Sequence, residues 1–122
     1  MTERIRGLRG ATTLDADTRE QVIERTAELL REMLERNAGA KEDLVSVLFT
    51  ATEDIRSEFP AAAARSIGIS DVPLLCAREL DIVDSVRLCI RVLIHVYTSR
   101  TPDQLRHVYL HDAEPLRTDL PR

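Results

Sequence analysis

Four arginines, Arg9, Arg65, Arg91 and Arg117, each sit in or beside an apolar stretch of the chain. A guanidinium drawn toward hydrocarbon needs a partner. Taken singly, each fits a structural salt bridge. If several converge they make an anion trap, and a carboxylate is the natural guest of a planar two-pronged cation. Lys41 is the only lysine among 17 basic residues. That bias fits either a need for guanidinium groups or the base composition of the genome.

Other chemistries find less support. There is no GxSxG elbow, no HExxH and no P-loop. His95, His107 and His111 lie in or beside alternating segments without ligand spacing from a carboxylate cluster. Each reads as an ordinary structural histidine. Cys76 and Cys89 form no CxxC pair, so no metal site is expected. Cys89 and His95 share one strand parity, but six residues of strand separate them by about 20 Å, too far for a dyad. The two thiols are expected to be reduced.

Composition narrows the class further. A chain of 122 residues, 43% hydrophobic and 31% charged, predicts one domain spanning 1–122. Its net charge of −4 argues against a nucleic-acid footprint. No apolar run approaches the ~18 residues that span a bilayer. The start, MTERIRGLRG, lacks an apolar signal core, so a soluble, cytoplasmic protein is expected.

The elements that must position these groups follow from periodicity. Arg4–Leu14 reads as a strand interrupted by Gly7 and Gly10, with glycine marking a bulge or a close backbone approach. Asp17–Asn37 reads as a helix, capped by Asp17 with Glu20 as capping-box partner. Its apolar face is Val22, Ile23, Thr26, Leu30, Met33 and Leu34, and Gly39 is its stop. Leu44–Ala51 reads as a buried strand, and Ser57–Ile67 holds a short helix with Pro60 near its start. Val72–Leu80 is a short strand or extended segment. In Val86–Thr98 the even positions are wholly apolar, whereas the odd positions mix Arg87, Cys89, Arg91, Leu93, His95 and Tyr97. One face therefore meets a core, and the other suits a cleft or a subunit interface. Leu105–Leu110 alternates again, and Thr118–Arg122 forms a mobile polar tail. Together these predict an α+β domain, a mixed sheet packed on one long and one short helix, with a second sheet face that another subunit would cover.

Several motifs in order then carry a resemblance. RGLRGATT at 6–13, ATEDI at 51–55, FPAAAAR at 59–65, VPLLCARELDI at 72–82, CIRV at 89–92, DQLRHVYL at 103–110 and PLR at 115–117 resemble the β-rich monofunctional chorismate mutases. The likeness runs from about residue 4 to residue 120. It implies a trimeric pseudo-α/β barrel with active sites at subunit interfaces. It implies the rearrangement of chorismate to prephenate, a step toward phenylalanine and tyrosine, with no cofactor and no metal.

By matched position, the resemblance makes Arg91 the contact to the breaking ether oxygen. Arg9 and Tyr109 hold a carboxylate, and Glu79 accepts a hydrogen bond from the ring hydroxyl, with Cys76 beside it. Phe59, Ala61 and Leu74 wall the pocket. Arg65, Arg117 and Leu116 lie at its closure. Cys76 and Glu79 would face opposite sides of a regular strand, so the segment must end or bulge before Glu79, or one residue must act through its backbone. Ala62, Leu75 and Thr118 depart from the family pattern at the rim and tail. Two other readings stand beside this one: an imine or enamine deaminase of similar trimeric architecture, and a non-catalytic anion-binding trimer.

Overall fold

The structure is a computed structural model that describes residues 2–122. Among these residues the strands are β1 (Arg4–Thr13), β2 (Leu44–Ala51), β3 (Leu74–Arg78), β4 (Cys89–Thr98) and β5 (Val108–Tyr109), and the helices are α1 (Arg19–Arg36) and α2 (Ala61–Ser66). The strands form one sheet in the order β3-β2-β4-β1-β5. β4 runs antiparallel to both β1 and β2, while the edge strands β3 and β5 pair parallel to β2 and β1. The fold is α+β, as the alternation of patterns predicts.

β1 is continuous, not interrupted: its register with β4 runs unbroken from Arg4↔Thr98 to Thr13↔Cys89. The glycine at 10 serves close approach. A Cβ there would lie 2.6 Å from Met33 Sδ and 3.1 Å from Leu29 Cδ1, so α1 could not sit as near the sheet.

The cap of α1 falls one residue later than its predicted place at Asp17. Thr18 is the N-cap, its Oγ1 accepting the Gln21 N–H at 3.2 Å. Gln21, not Glu20, reaches back, accepting from the Asp15 and Ala16 N–H groups. Asp17 is diverted to the chain before α2, where it accepts from the Arg56 N–H, the Ser57 N–H and the Ser57 hydroxyl. The buried stripe includes Ala27 and Leu29 and leaves Ile23 half-buried. At the other end the Gly39 N–H returns to Leu34 O and the Ala38 N–H to Glu35 O, a Schellman closure whose left-handed residue is Ala38 (φ 52°).

β5 keeps only two residues of the predicted Leu105–Leu110. The backbone before it is paired elsewhere. Asn37 donates from Nδ2 to Arg106 O and accepts the Arg106 N–H at Oδ1, both at 2.8 Å, and the His107 N–H donates to Pro121 O at 2.8 Å. A side chain and the tail thus replace a strand ladder.

Both helices pack on one face of the sheet. Phe49, Val92, Ile94 and Val47 there meet Leu29, Leu30 and Met33 of α1 and Ala64 of α2. Burial of each large side chain contributes about 1.5–3 kcal/mol. Among the described residues no α-helix covers the opposite face. At one end it carries a smaller cluster of Ala11, Cys89, Tyr109 and Ala113, with Val86 and Leu116 packed against it. The remainder of that face is open. Among the described residues no helix is long and apolar enough to cross a membrane.

Candidate active site

Pairing registers lay the open face out in rows. Ala77, Thr50, Arg91, Ala11 and Tyr109 form one row across all five strands, and Leu75, Leu48, Leu93 and Arg9 form the next. Arg91 therefore stands at the middle of the sheet, on its central strand. The arginine signal read from alternation is correctly placed: Ile90, Val92, Ile94 and Val96 are buried under the helices, and Arg91 points the other way.

Glu79 reaches Arg91 because it follows Leu75 and Ala77 onto the open face, just past the end of β3 at Arg78. Its N–H still donates to Ala51 O at 2.9 Å, so the pairing continues one residue further, and its side chain keeps the parity of Leu75 and Ala77 on the open face, opposite Cys76. There the Thr50 hydroxyl donates to Glu79 Oε2, and Arg91 Nη1 stands 3.7 Å from Glu79 Oε1. At that length the pair is an ion pair without a direct hydrogen bond. Arg91 Nε is buried and has no hydrogen-bond partner among the described residues. A buried donor without an acceptor costs about 1–3 kcal/mol. An anionic or ether oxygen entering the cleft would recover it. Arg9, Leu48, Thr50, Glu79, Arg91 and Leu93 line this cleft, of about 330 Å³. It therefore offers two cations and one carboxylate over an apolar floor.

Cys89, one turn of the strand from Arg91, is buried, and burial pushes its thiol up while the nearby Arg91 pulls partly the other way. A neutral thiol beside the cation leaves the guanidinium charge for a ligand. The start of β4 is held by Asp54, whose carboxylate accepts the N–H of Leu88, a residue with φ of 46°. Burial works against the charged form of Asp54, but the Thr52 hydroxyl and the Leu88 N–H outweigh it and hold its carboxyl below the usual range.

The remaining candidates fall into two further groups. Phe59 and Cys76 line a separate groove of about 530 Å³ with Ile55, Pro60 and Arg78. Cys76 pairs with Phe49 and Leu74 with Val47, so both belong to the helix-covered side of the sheet. Ala61 is buried in the core, Phe59 is 67% exposed, and Arg65 is exposed on α2. The third group is Tyr109, Leu116 and Arg117. The Tyr109 hydroxyl is buried without a partner among the described residues, and the Arg122 guanidinium lies 4.5 Å over its ring. Leu116 packs beside it, while Arg117 is exposed and paired with Asp119 at 3.1 Å. Within one chain, then, Arg9, Glu79 and Arg91 converge, and the other eight do not join them.

Thr50 and Leu93 line the cleft but were not singled out from the sequence. A signal for Thr50 existed: Ser46, Leu48 and Thr50 share one parity of β2, a semi-polar face like that of β4. His107, read from the sequence as a structural histidine, also bears on the site. Its Nδ1 accepts the Arg9 N–H at 2.9 Å.

This α+β chain has relatives of known activity. The family model for chorismate mutase type I matches residues 5–120. The chain is 50% identical over 117 residues to the chorismate mutase AroH of Thermus thermophilus, covering 95% of this chain and 96% of the relative. It is 44% identical over 117 residues to the chorismate mutase AroH of Bacillus subtilis, covering 95% and 92%. A solved chorismate mutase from Clostridium thermocellum superposes with a TM-score of 0.88 at 39% identity, covering 89% of this chain and 97% of that one. The chain belongs to the chorismate mutase type I family. Its activity is that of a chorismate mutase, an isomerase.

Proposed function

We propose that the chain, as a single domain over 1–122 in the cytoplasm, rearranges chorismate to prephenate at sites completed between the subunits of a homotrimer. The observation that carries this reading is Arg91 Nε, a buried donor without an acceptor, beside Glu79 on an open sheet face. Chorismate is a dianion with an enolpyruvyl ether and a ring hydroxyl. It reacts only from a compact diaxial conformer, and its ether oxygen gains negative charge as the C–O bond breaks. The site must therefore confine one conformer and aim a cation at that oxygen. The reaction is intramolecular and calls on no cofactor.

Arg91 is the group that binds the transition state better than the ground state, because the oxygen it faces is more negative there. Arg9 and Tyr109 hold a carboxylate, and Glu79, already fixed by Thr50, takes the ring hydroxyl. Phe59, Ala61, Leu74 and Cys76 form the wall, and Arg65, Leu116 and Arg117 the closure. These groups lie apart in one chain, and a shared site would unite them. The open face supports such sharing: Ile5, Leu75 and Tyr97 are exposed on it beside half-buried Leu48 and Leu93. An apolar sheet face of this kind suits another copy of the same surface.

The test is Arg91→Ala, followed by loss of chorismate absorbance and identification of prephenate. Turnover is expected to fall at least about 10²–10³-fold, the cost of one preorganised donor. Near-normal turnover would sink the mechanism. Arg91→Lys keeps the charge but not the fork, and recovers little. Sedimentation equilibrium is expected to give three times the 13.8 kDa chain mass, and an active monomer would exclude a shared site. Turnover of imines in place of chorismate would favour a deaminase, for which the family match offers no support.

A further inference from the structure

We propose that His107 is a positioning residue for substrate binding, its Nδ1 fixing the backbone at Arg9 so that the Arg9 guanidinium meets the substrate carboxylate. The inference rests on the assignment of Arg9 to that carboxylate. His107 is buried at the point where β5 has not yet begun, since the β1–β5 pairing starts only at Gly10↔Val108. One residue earlier, the Arg9 N–H has no strand to donate to, and the imidazole takes that place at 2.9 Å. The His107 N–H donates in turn to Pro121 O, in the tail whose last residue covers Tyr109. One residue thus ties together Arg9, the strand that carries Tyr109, and the tail.

Nδ1 can accept only while it carries no proton. Burial, then the cations Arg9 and Arg117, hold the imidazole below its ordinary value of 6.5, so the accepting form dominates at neutral pH. The charged side chains around it are Arg6 and Arg9 of β1, Asp103 of the turn at Pro102–Gln104, and Arg117 of the tail. Asp103 is the one anion among them, and it is occupied by the Thr101 hydroxyl at 2.6 Å. Protonation of His107 sets two donors against each other, breaking its bond to the Arg9 N–H, and adds a charge among cations. Affinity for the dianion then falls, although the rearrangement itself takes no proton.

The experiment is steady-state kinetics across the acid range for the wild type, His107→Asn, His107→Leu and Arg9→Ala. Asparagine can place an amide oxygen near the Nδ1 position and does not titrate; leucine cannot accept. The wild type is expected to show KM rising as pH falls through the lowered imidazole value, on the acid side of the ordinary one, while kcat stays level. His107→Asn is expected to keep a near-wild-type KM at neutral pH and to lose the acid rise. His107→Leu is expected to raise KM about tenfold at every pH, the equivalent of one weakened contact, with kcat nearly unchanged. A folded His107→Leu with wild-type KM overturns the proposal, as does an acid rise that persists in His107→Asn. Should the leucine variant not fold, the asparagine profile decides alone. Arg9→Ala separates the two assignments. If it raises KM and His107→Leu does not, only the positioning role falls; if it leaves KM unchanged, the Arg9 assignment falls and the proposal with it.

Discussion

The two faces of this sheet are built from the same strands and carry different kinds of energy. On the helix side, the row Cys76, Phe49, Val92, Gly10 and Val108 is closed by α1, with Gly10 kept bare to admit Met33. On the other side, the next row holds Thr50, Arg91 and Tyr109, and both Arg91 Nε and the Tyr109 hydroxyl are buried without partners among the described residues. The first face is closed by apolar packing, and the groups it leaves unpaired among the described residues are two neutral hydroxyls, of Thr12 and Thr26, sealed in the core. The second keeps a charged donor at the edge of a cleft that a ligand can enter. Buried polar groups ordinarily find partners, and a buried guanidinium N–H left without one beside a cleft marks where an oxygen-rich ligand is expected.

The largest effect that would test this contrast is on stability. Phe49→Ala opens a cavity beneath α1 and is expected to cost about 3–5 kcal/mol in a denaturant titration. Arg91→Ala, one strand away on the other face, is expected to leave the unfolding midpoint nearly unchanged while abolishing most turnover. A large loss of stability there would mean that the guanidinium serves the fold. Removal of Thr118–Arg122 takes away the Arg122 guanidinium over Tyr109 and the Pro121 carbonyl that accepts from His107, while leaving Arg91 and Glu79 in place. Steady-state kinetics is expected to show KM raised more than kcat is lowered, and the reverse would assign the tail to the chemistry.

The smallest effect concerns acid stability. The His107 imidazole binds a proton less readily in the folded chain than in the unfolded one. Its contribution is therefore full above the unfolded value of 6.5 and shrinks as pH falls toward the lower folded value. Comparing melting temperatures of wild type and His107→Asn through that window is expected to show a shallower decline in the variant. Parallel declines would mean that other groups dominate.

Much of this architecture could be read before any coordinates, and the failures were orderly. The limits of β2 and the two-sided character of β4 follow from period-two alternation, which is a property of the strand itself. The start of α1 was missed because Asp17 and Thr18 are both competent caps, and only the arrival of Arg56 and Ser57 commits Asp17 elsewhere. β5 was read too long because Asn37 and Pro121, far away in the chain, take the backbone groups a ladder would have used. Of the candidate site, Arg91 could be placed from parity alone. Glu79 could be joined to it only by the strand order β3-β2-β4, which lays the parity of Leu75 and Ala77 beside Arg91 and leaves Cys76 on the opposite side.

What the amino-acid order determined unaided is the set of local choices: which segments extend, which coil, and which side of each meets hydrocarbon. These depend on backbone preference and on side chains a few positions apart. The meeting of Arg9 with His107, of Glu79 with Thr50, and of Arg91 with both Glu79 and an empty acceptor position was decided by tertiary structure. Strand order and register are set by how the buried face packs as a whole. Groups on the opposite face are carried into contact by that packing, whatever their separation along the chain.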